Sequence, residues 1–399
     1  TEMLKDLFKL TNLQIFSTIF SFILSIFIAN ELEPSNFGLY SKALIWGNLL
    51  SMIGSFETDR TAAVLQSKLK NSQEVFNIVI TVRLIFFLLF ILYIPFLLYY
   101  NLAIGFGVLV ICLTVFNLSF LYEILEKNVN YGIVFFFERA IYIVLCLAFF
   151  ILFNSLNLYL IFFAYGLGTL FSLLWQFRRY KPYFKKFVLK KFDEIKPVII
   201  NNSFIVSIAL SEFAYGGFSR LILENKFGLE IMGIYSAGWY AIMLITIFQA
   251  QVTKVWRLKI SDSLINKTGG LKPVIKKYFY FSTIPVCILS TALILFAPAI
   301  VDFLFIEDYK ILSSLLPVFA CYFVIINLHT LTTIFWVSIG DKKEFLLTNL
   351  ISSISLIIVL MYFPKELGIN FFAATTIFFH GLVVFYLLKR FYFKYLRSS

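Results

Sequence analysis

The sequence predicts an all-α polytopic membrane protein whose twelve transmembrane helices form two six-helix bundles related by a parallel pseudo-two-fold repeat. Three observations lead to this fold class. Hydrophobic residues make up 60% of the 399 residues and charged residues only 14%, and the mean hydropathy of +0.89 is far outside the range of soluble domains. Apolar runs of about 20 residues recur along the whole chain. A short signature in the second run also returns near the middle of the chain.

Each apolar run is long enough to cross the hydrocarbon core of a bilayer as one helix. The runs of the first half cover residues 10–30, 37–56, 76–99, 102–122, 132–153 and 156–177. Those of the second half cover residues 197–223, 228–252, 278–305, 312–339, 345–363 and 367–388. The first run is too long for a signal-peptide core, and no small-residue cleavage site followed by a soluble domain comes after it. We therefore expect it to be an uncleaved span.

The repeated signature reads FGLYSKALIW at residues 37–46 and MGIYSAGWYA at residues 232–241. Six predicted spans separate Gly38 from Gly233, so both glycines lie on the same face of the membrane, at the outer end of the second helix of each half. The halves therefore repeat in parallel, which is a recurrent plan of secondary transporters, with the substrate site between the repeats. We expect an N-terminal bundle over residues 1–177, a connector over 178–196 and a C-terminal bundle over 197–399.

The distribution of basic residues predicts the orientation. When the spans alternate in direction, nearly all Lys and Arg residues of the connections fall on one side, and the opposite loops hold only Lys226, Lys310 and Lys365. The positive-inside rule makes the basic side cytoplasmic and places both termini there. The net charge of +12 is then mostly a consequence of topology, so nucleic acid is not expected as a partner.

The connector interleaves aromatic rings with many Lys and Arg residues. Tyr180, Tyr183, Phe184 and Phe187 share one face at helical spacing, which predicts an amphipathic helix lying on the anionic cytoplasmic leaflet. Anionic lipids are therefore expected partners. An electrostatic attraction that concentrates anionic lipid-linked substrates near the entrance stays open as an alternative.

Four basic residues lie inside predicted spans: Lys42, Arg83, Arg139 and Arg220. Each costs about 2.5 to 3.5 kcal/mol on insertion scales, so each needs a reason to be there. Arg83 and Arg139 lie about two turns from the cytoplasmic ends of their helices, whereas Lys42 and Arg220 lie nearer the outer ends. We interpret the four as the substrate-binding groups of a cationic cavity. Snorkelling of a long side chain to the interface is the alternative, mainly for Lys42 and Arg220.

Acidic residues within or beside the spans are candidates for ion coupling or gating. Glu212, near the middle of the seventh span, is predicted to be isolated from basic residues and is the first candidate for proton or sodium coupling. Glu138 lies beside Arg139, and Glu57, Asp59 and Arg60 follow the inner end of the second span, where they form a gate or a solvated terminus.

Other chemistry-bearing residues carry weaker signals. His329 and His380 are lone histidines in apolar runs, for which helix-packing hydrogen bonds are a commoner role than a proton relay. The four cysteines fall inside apolar runs and imply neither a disulfide nor a metal framework. We expect no catalytic residue, cofactor or metal.

The segments ANELEPSNFGLYSKALIWGNLLSMIGSFETDR, FSRLILENKFGLEIMGIYSAGWYAIML and IVDFLFIEDYKILSSLLPVFA resemble the Wzx-type polysaccharide (O-antigen) flippases, in the multidrug/oligosaccharidyl-lipid/polysaccharide exporter (MOP) superfamily. The resemblance implies two six-helix bundles around a cationic central cavity. By alternating access they flip undecaprenyl-diphosphate-linked oligosaccharide across a bacterial inner membrane. It also implies polysaccharide polymerase and chain-length partners. The family often has Asp-Arg where this chain has Ser219-Arg220, so that acid–base pair is missing here.

Two other function classes are kept open. A cation-coupled drug or metabolite exporter of the same superfamily would share the repeat but would rely on membrane carboxylates, whereas the deeper charges here are mainly basic. A membrane-embedded polymerase or glycosyltransferase would carry a large extramembrane loop with catalytic carboxylates, and the outer connections here are short. The absence of a Walker A sequence argues against direct coupling to ATP. The sugar composition and the final polymer, whether O-antigen, lipopolysaccharide or capsule, are not specified by these patterns.

Overall fold

The computed structural model describes residues 2–240, 260, 271–339 and 342–393. The described chain is helical with turns, and it contains no strand. Ten of its helical segments are long and apolar enough to cross a membrane. The first of these segments covers the first two predicted spans, and the predicted eighth span extends into residues 241–252, which lie outside the described residues. The predicted all-α polytopic membrane fold is confirmed.

The chain divides into two compact units. Unit 1 comprises residues 1–32 and 39–209, and unit 2 comprises residues 33–38 and 210–399. The predicted division at residues 178–196 stays a prediction.

The helices that contribute to unit 1 are α1 (Glu2–Ser55, which also carries residues 33–38 of unit 2), α2 (Thr58–Leu69), α3 (Ser72–Ile91), α4 (Ile94–Tyr100), α5 (Leu102–Cys112), α6 (Ser119–Ile124), α7 (Asn128–Phe153), α8 (Leu158–Arg179), α9 (Lys181–Lys185) and the greater part of α10 (Phe192–Phe213). Helix α7 packs along α8, while α2 packs on α3 and α6. The predicted third and fourth spans are each broken in the structure. The fourth is interrupted by a 3-10 turn at Leu113–Phe116, which separates α5 from α6.

After residues 33–38 of α1, unit 2 resumes at the end of α10. It continues through a π-helical turn at Ala214–Phe218 to α11 (Ser219–Phe227), α12 (described over residues 229–240), α13 (Leu271–Tyr278), α14 (Ile284–Leu295), α15 (Ala297–Leu304), α16 (Leu312–Ile339), α17 (Lys342–Met361) and α18 (Gly368–Phe391). Helix α16 is central, because α14, α15 and α18 all pack on it. A second π-helical turn, Phe279–Thr283, joins α13 to α14.

The two signature glycines pack against each other's backbone within unit 2. A Cβ on Gly233 would stand 1.8 Å from the carbonyl oxygen of Pro34, and a Cβ on Gly38 would stand 2.3 Å from that of Leu229. Real side chains do not approach backbone so closely, so both positions require glycine. Helix α1 kinks just before this point, at Glu33, whose φ is 60°. The repeated signature therefore corresponds to a close crossing of two backbone segments.

The predicted amphipathic helix of the connector is wrong. The connector is not one continuous helix: it contains the end of α8, the short helix α9 (Lys181–Lys185), the non-helical residues 186–191 and the first residues of α10. The rings predicted to lie on the lipid surface pack instead into the core of unit 1, where Tyr183, Phe184 and Phe187 surround Phe76 with centroid distances of 5.6, 5.0 and 6.3 Å. Burial of the rings against α3 thus replaces their burial in the leaflet.

The basic residues of the connector remain at the surface. Arg178, Arg179, Lys181, Lys185 and Lys186 are exposed, so contact with anionic lipids stays a prediction. Lys190 differs from them, because its ammonium lies 2.5 Å from a carboxylate oxygen of Glu74. This hydrogen bond raises the pKa of Lys190 and ties the connector to α3.

Candidate functional site

Arg83 lies in α3 and is fully engaged by its own unit. Its guanidinium is only 1% exposed and forms an ion pair with Asp59 at 2.8 Å. Its Nε donates to the Thr58 hydroxyl at 2.9 Å. Its Nη1 donates to the carbonyl oxygens of Val115 and Asn117, at 2.9 and 2.5 Å. Nε and Nη1 of the guanidinium therefore have hydrogen-bond partners inside unit 1, and Nη2 has the Asp59 carboxylate as its ion-pair partner.

The break in the fourth span explains why Arg83 is there. A helix interrupted inside a membrane leaves backbone groups without intrahelical partners, and each such group costs several kcal/mol unless it is satisfied. Arg83 supplies donors to the carbonyls of the break, while the side-chain oxygen of Gln176 accepts from the Leu118 amide at 2.7 Å. The predicted contact of Arg83 with substrate stays a prediction, and this geometry gives it no support.

Of the predicted gate residues, Glu57 lies in the turn between α1 and α2, and Asp59 and Arg60 lie in the first turn of α2. Phe56 and Glu57 have positive φ values of 49° and 51°, and Arg60 pairs with Glu57 at 2.8 Å. The Asp59 carboxylate, held by Arg83, also accepts from the Ser119 hydroxyl at 2.5 Å. Asp59 therefore connects the start of α2 to the break in the fourth span and stabilises the packing of these two segments. A gating role for Glu57, Asp59 and Arg60 stays a prediction.

Arg139 lies in α7 and has very different surroundings. Its guanidinium carbon lies 5.0 Å from the ring centroid of Phe135 and 5.6 Å from that of Tyr165. The hydroxyls of Tyr165, Tyr142 and Tyr40 interact with it electrostatically. Among the described residues, no carboxylate lies within 4 Å of this guanidinium, and its Nε has no hydrogen-bond partner. The site is a cation held by aromatic rings and hydroxyls, with capacity for an anionic ligand.

Tyrosines build the wall beside Arg139. The hydroxyls of Tyr40 and Tyr142 lie 3.3 Å apart, and the rings of Tyr142 and Tyr165 pack edge to face at 5.3 Å. Phe135 and Tyr142, at four residues before and three after Arg139 on one helix, are the neighbours that helical periodicity alone could have indicated. Tyr40 and Tyr165 come from other helices, and sequence reasoning missed their role here.

Glu138 points into a separate polar network. It is 5% exposed and hydrogen-bonded to Ser172, whose hydroxyl also accepts from the Gln176 amide at 2.9 Å. Its carboxylate interacts electrostatically with Arg139, but no ion pair within 4 Å joins the two among the described residues. Glu138 therefore belongs to the packing of α7 on α8. Its coupling role stays a prediction.

The remaining two basic candidates lie at aromatic rings. The Lys42 ammonium is 5.4 Å from the ring centroid of Tyr100 in unit 1. In unit 2, the Arg220 Nε donates to the Gly216 carbonyl at 2.6 Å, inside the π-helical turn, and its guanidinium carbon is 5.7 Å from the ring centroid of Trp239. Arg220 is 9% exposed, and its Nη1 has no hydrogen-bond partner within the described chain. The Arg220 side chain also hydrogen-bonds to Tyr240, so its guanidinium has partners within unit 2 besides the Gly216 carbonyl. The predicted contacts of Lys42 and Arg220 with substrate stay predictions.

The surroundings of Glu212 do not include a basic residue within 4 Å in the described part of the chain, and its role in ion coupling stays a prediction. Glu212 lies at the end of α10, immediately before the π-helical turn, and interacts electrostatically with Tyr322 of α16. The Tyr322 hydroxyl lies 2.8 Å from Nδ1 of His380, and the rings of His380 and His329 are 4.6 Å apart. The two histidines predicted to be lone are therefore neighbours. Their proximity depends on the pairing of α16 with α18, for which the sequence carries no local signal.

A family model for polysaccharide biosynthesis proteins matches residues 3–256, which is more than half of the chain. The chain belongs to this family. The predicted membership of the MOP superfamily and of its polysaccharide branch is confirmed. The protein is accordingly a multi-pass membrane transporter of that superfamily. No curated protein matches the chain significantly.

Solved structures agree on the fold. An inward-facing multidrug resistance MATE family transporter of the MOP superfamily is similar, with a TM-score of 0.72 at 14% identity over 96% of each chain. A mutant of the Vibrio cholerae MATE transporter VcmN is also similar, with a TM-score of 0.63 at 13% identity over 99% of this chain and 97% of the other. Identities this low establish the fold alone.

Proposed function

We propose that this transporter flips undecaprenyl-diphosphate-linked oligosaccharide from the cytoplasmic to the outer leaflet of a bacterial inner membrane by alternating access. The observation that carries the proposal is Arg139, a cation among tyrosine hydroxyls with no carboxylate within 4 Å in the described residues. Membership of a polysaccharide biosynthesis family supports a saccharide-linked cargo. Arg139 would contact phosphate oxygens of the cargo.

The charge of the cargo suits these residues. A guanidinium donates charge-assisted hydrogen bonds to phosphate, and such bonds are about twice as strong as neutral ones. A lipid diphosphate carries about two negative charges, and an inside-negative potential favours their outward passage by about 2.3 kcal/mol per charge per 100 mV. Aromatic rings beside Arg139 offer stacking faces for sugars. The membrane potential therefore supplies much of the driving force, and arginines lower the cost of carrying phosphate through an apolar region.

A cation-coupled small-molecule exporter is the second candidate. The fold similarity to multidrug resistance MATE transporters favours it, as do the buried Glu138 and the Glu212–Tyr322 interaction. An exporter of cationic drugs would need a carboxylate available to its cargo. Glu138 is instead hydrogen-bonded within the α7–α8 packing. We therefore place this candidate second.

Deletion of the gene in its native strain tests the proposal. Undecaprenyl-linked sugars would be extracted and quantified by mass spectrometry after enzymatic labelling of the accessible leaflet. The proposal predicts that complete oligosaccharide units accumulate in the cytoplasmic leaflet and that surface polymer is lost. Complementation with the parent gene and with Lys365→Ala, an exposed outer-loop lysine, should restore the polymer, whereas Arg139→Ala should not. Normal intermediates with altered drug sensitivity would instead support the exporter.

A further inference from the structure

A groove runs between α17 and α18 within unit 2. Its volume is about 680 Å³. Both helices are long and apolar enough to cross a membrane, with spanning segments over residues 343–361 and 365–391. On α17 the groove extends from Lys343 to Ser355, twelve positions that correspond to about 18 Å along a helix axis. The groove is therefore long and follows the direction of the two spans.

Most of the groove has an apolar lining. Leu347 and Ile351 of α17 and Leu382 of α18 line it, and all three side chains are exposed. The hydroxyls of Thr348 and Ser352, which also line it, donate to backbone carbonyl oxygens at 2.8 and 3.1 Å. Because these two hydrogens are already bonded inside the protein, the groove wall is suited to contact with hydrocarbon rather than water.

One end of the groove is charged. Lys343 and Arg390 line this end, and both belong to the outermost residues of the two spanning segments. The Arg390 Nε donates to the Glu344 carboxylate at 2.7 Å, which orients the guanidinium, and the Arg390 side chain is 56% exposed. A guanidinium has several further N–H donors. With the exposed Lys389, three basic side chains face one carboxylate, so this end is net positive.

The length of the groove matches one leaflet of a bilayer. The hydrocarbon core is about 30 Å thick, so one leaflet contributes about 15 Å, close to the length of about 18 Å along α17. The charged end lies where the spans begin and end, which is the depth of lipid phosphates. The positive-inside rule predicts that this end is cytoplasmic, and the cytoplasmic leaflet attracts basic residues through its anionic lipids.

We propose that this groove binds one anionic phospholipid of the membrane, with its phosphate at Lys343 and Arg390 and one acyl chain along the apolar wall. The net positive end selects an anionic headgroup over a zwitterionic one, because the cationic group of a zwitterionic lipid would be repelled there. The apolar length selects a lipid over a small soluble anion. This inference concerns a lipid of the surrounding membrane and does not rest on the proposed cargo.

Native mass spectrometry of the full chain tests the binding. The protein would be delipidated in detergent and titrated with dioleoyl phosphatidylglycerol, or with dioleoyl phosphatidylcholine, which has the same acyl chains and no net charge. We expect one phosphatidylglycerol per chain to bind at concentrations at which phosphatidylcholine does not. Equal binding of the two lipids would overturn the proposal.

A pair of double variants tests the charged end. Lys343→Gln/Arg390→Gln should weaken the binding of phosphatidylglycerol by about 10- to 30-fold, because each basic residue near an anionic headgroup contributes to the affinity. Lys276→Gln/Lys277→Gln removes two exposed lysines of α13 in the same unit and should keep the affinity of the parent. Equal loss in the two variants would mean that general charge, and not this site, attracts the lipid.

A second pair of variants tests the apolar wall. Ser355→Phe places a ring in the groove, far from the charged end, and should weaken phosphatidylglycerol binding while Lys343 and Arg390 are unchanged. Ile354→Phe adds a ring at an exposed neighbouring position outside the groove and should bind the lipid like the parent. Equal affinity of the two variants would show that no acyl chain occupies the groove, which would reject the proposal.

Photolabelling locates the lipid and separates the other occupants. Phosphatidylglycerol with a diazirine in one acyl chain should label peptides that contain Leu347, Ile351 and Leu382. Labelling confined to other helices would overturn the proposal. Displacement of this lipid by an equal concentration of undecaprenyl phosphate would assign the groove to a polyprenyl tail instead. A dimer without bound lipid in the native mass spectrum would assign it to a second copy of the chain.

Discussion

Arg83 and Arg139 occupy matched positions and have opposite surroundings. Each lies in a membrane-spanning helix of unit 1, eleven residues after the first residue of that helix. Arg83 pairs with Asp59 and donates to three oxygens of its own chain, whereas Arg139 lies among rings and hydroxyls without a carboxylate within 4 Å in the described residues. A buried arginine is therefore not in itself a substrate contact. The partners that already occupy its donors decide its role.

The largest effect is expected at Arg83. In Arg83→Ala the buried carbonyls of Val115 and Asn117 lose their donor and Asp59 loses its cation, so the variant should be destabilised by about 3 to 5 kcal/mol. Thermal unfolding of the purified protein in detergent would measure this as a lower Tm. The matched variant Arg139→Ala should unfold close to the parent. An unchanged Tm in Arg83→Ala would contradict the proposal that Arg83 stabilises the broken span.

Arg139 should show the reverse behaviour. Arg139→Ala should lose transport by about 10- to 100-fold, because a hydrogen bond to a charged group contributes about 1.5 to 3 kcal/mol. Flux of lipid-linked saccharide at equal protein density in proteoliposomes checks this. Arg139→Lys keeps the positive charge but loses the planar fork of the guanidinium. Its flux should therefore lie between that of the parent and that of Arg139→Ala. Equal loss of stability and flux would make Arg139 a structural residue like Arg83.

Asp59→Asn sharpens the account of Arg83. The Asp59 side chain is 41% exposed, so solvent replaces part of the lost interaction, and we expect a destabilisation of about 1 kcal/mol. The Tm should decrease from the parent to Asp59→Asn and decrease further in Arg83→Ala. A Tm for Asp59→Asn as low as that of Arg83→Ala would mean that the ion pair, and not the carbonyl contacts, holds the broken span.

The smallest effect is expected at Tyr165. Tyr165→Phe keeps the ring beside Arg139 and removes the hydroxyl that interacts with it, so flux should fall about two- to tenfold. The comparison variant is Tyr183→Phe. It removes a hydroxyl of the connector, in the same unit, that hydrogen-bonds to Ser72 at the start of α3. A larger loss in Tyr183→Phe than in Tyr165→Phe would show that the hydroxyl at Arg139 has no specific role.

The sequence was sufficient for features that depend on composition along one helix. Long apolar runs predict the spans, and the repeated signature marks Gly38 and Gly233 as matching positions. The sequence does not show that the two glycines meet, and the structure places them at a close backbone crossing. The sequence was insufficient for features that depend on pairing. Nothing local indicates that the span after Leu102 breaks at Leu113 and that Arg83, on another helix, satisfies the break.

The same limit applies to the connector and the histidines. Spacing predicts that the connector rings share a face, but Phe76 on α3 determines that this face is buried in protein rather than in lipid. His329 and His380 are far apart along the chain and meet because α16 packs on α18. In each case the missing information is the identity of the surface that lies opposite, which periodicity does not contain.

We propose that Arg139 serves an anionic lipid-linked cargo. The most direct test is a reconstituted flipping assay with undecaprenyl-diphosphate-linked oligosaccharide, in which a periplasm-side glycan-modifying enzyme reports arrival of cargo under an inside-negative potential. We predict flipping by the parent and by Lys365→Ala, and loss of flipping in an Arg139→Ala protein whose Tm matches the parent. Equal flipping by Arg139→Ala and the parent would contradict it.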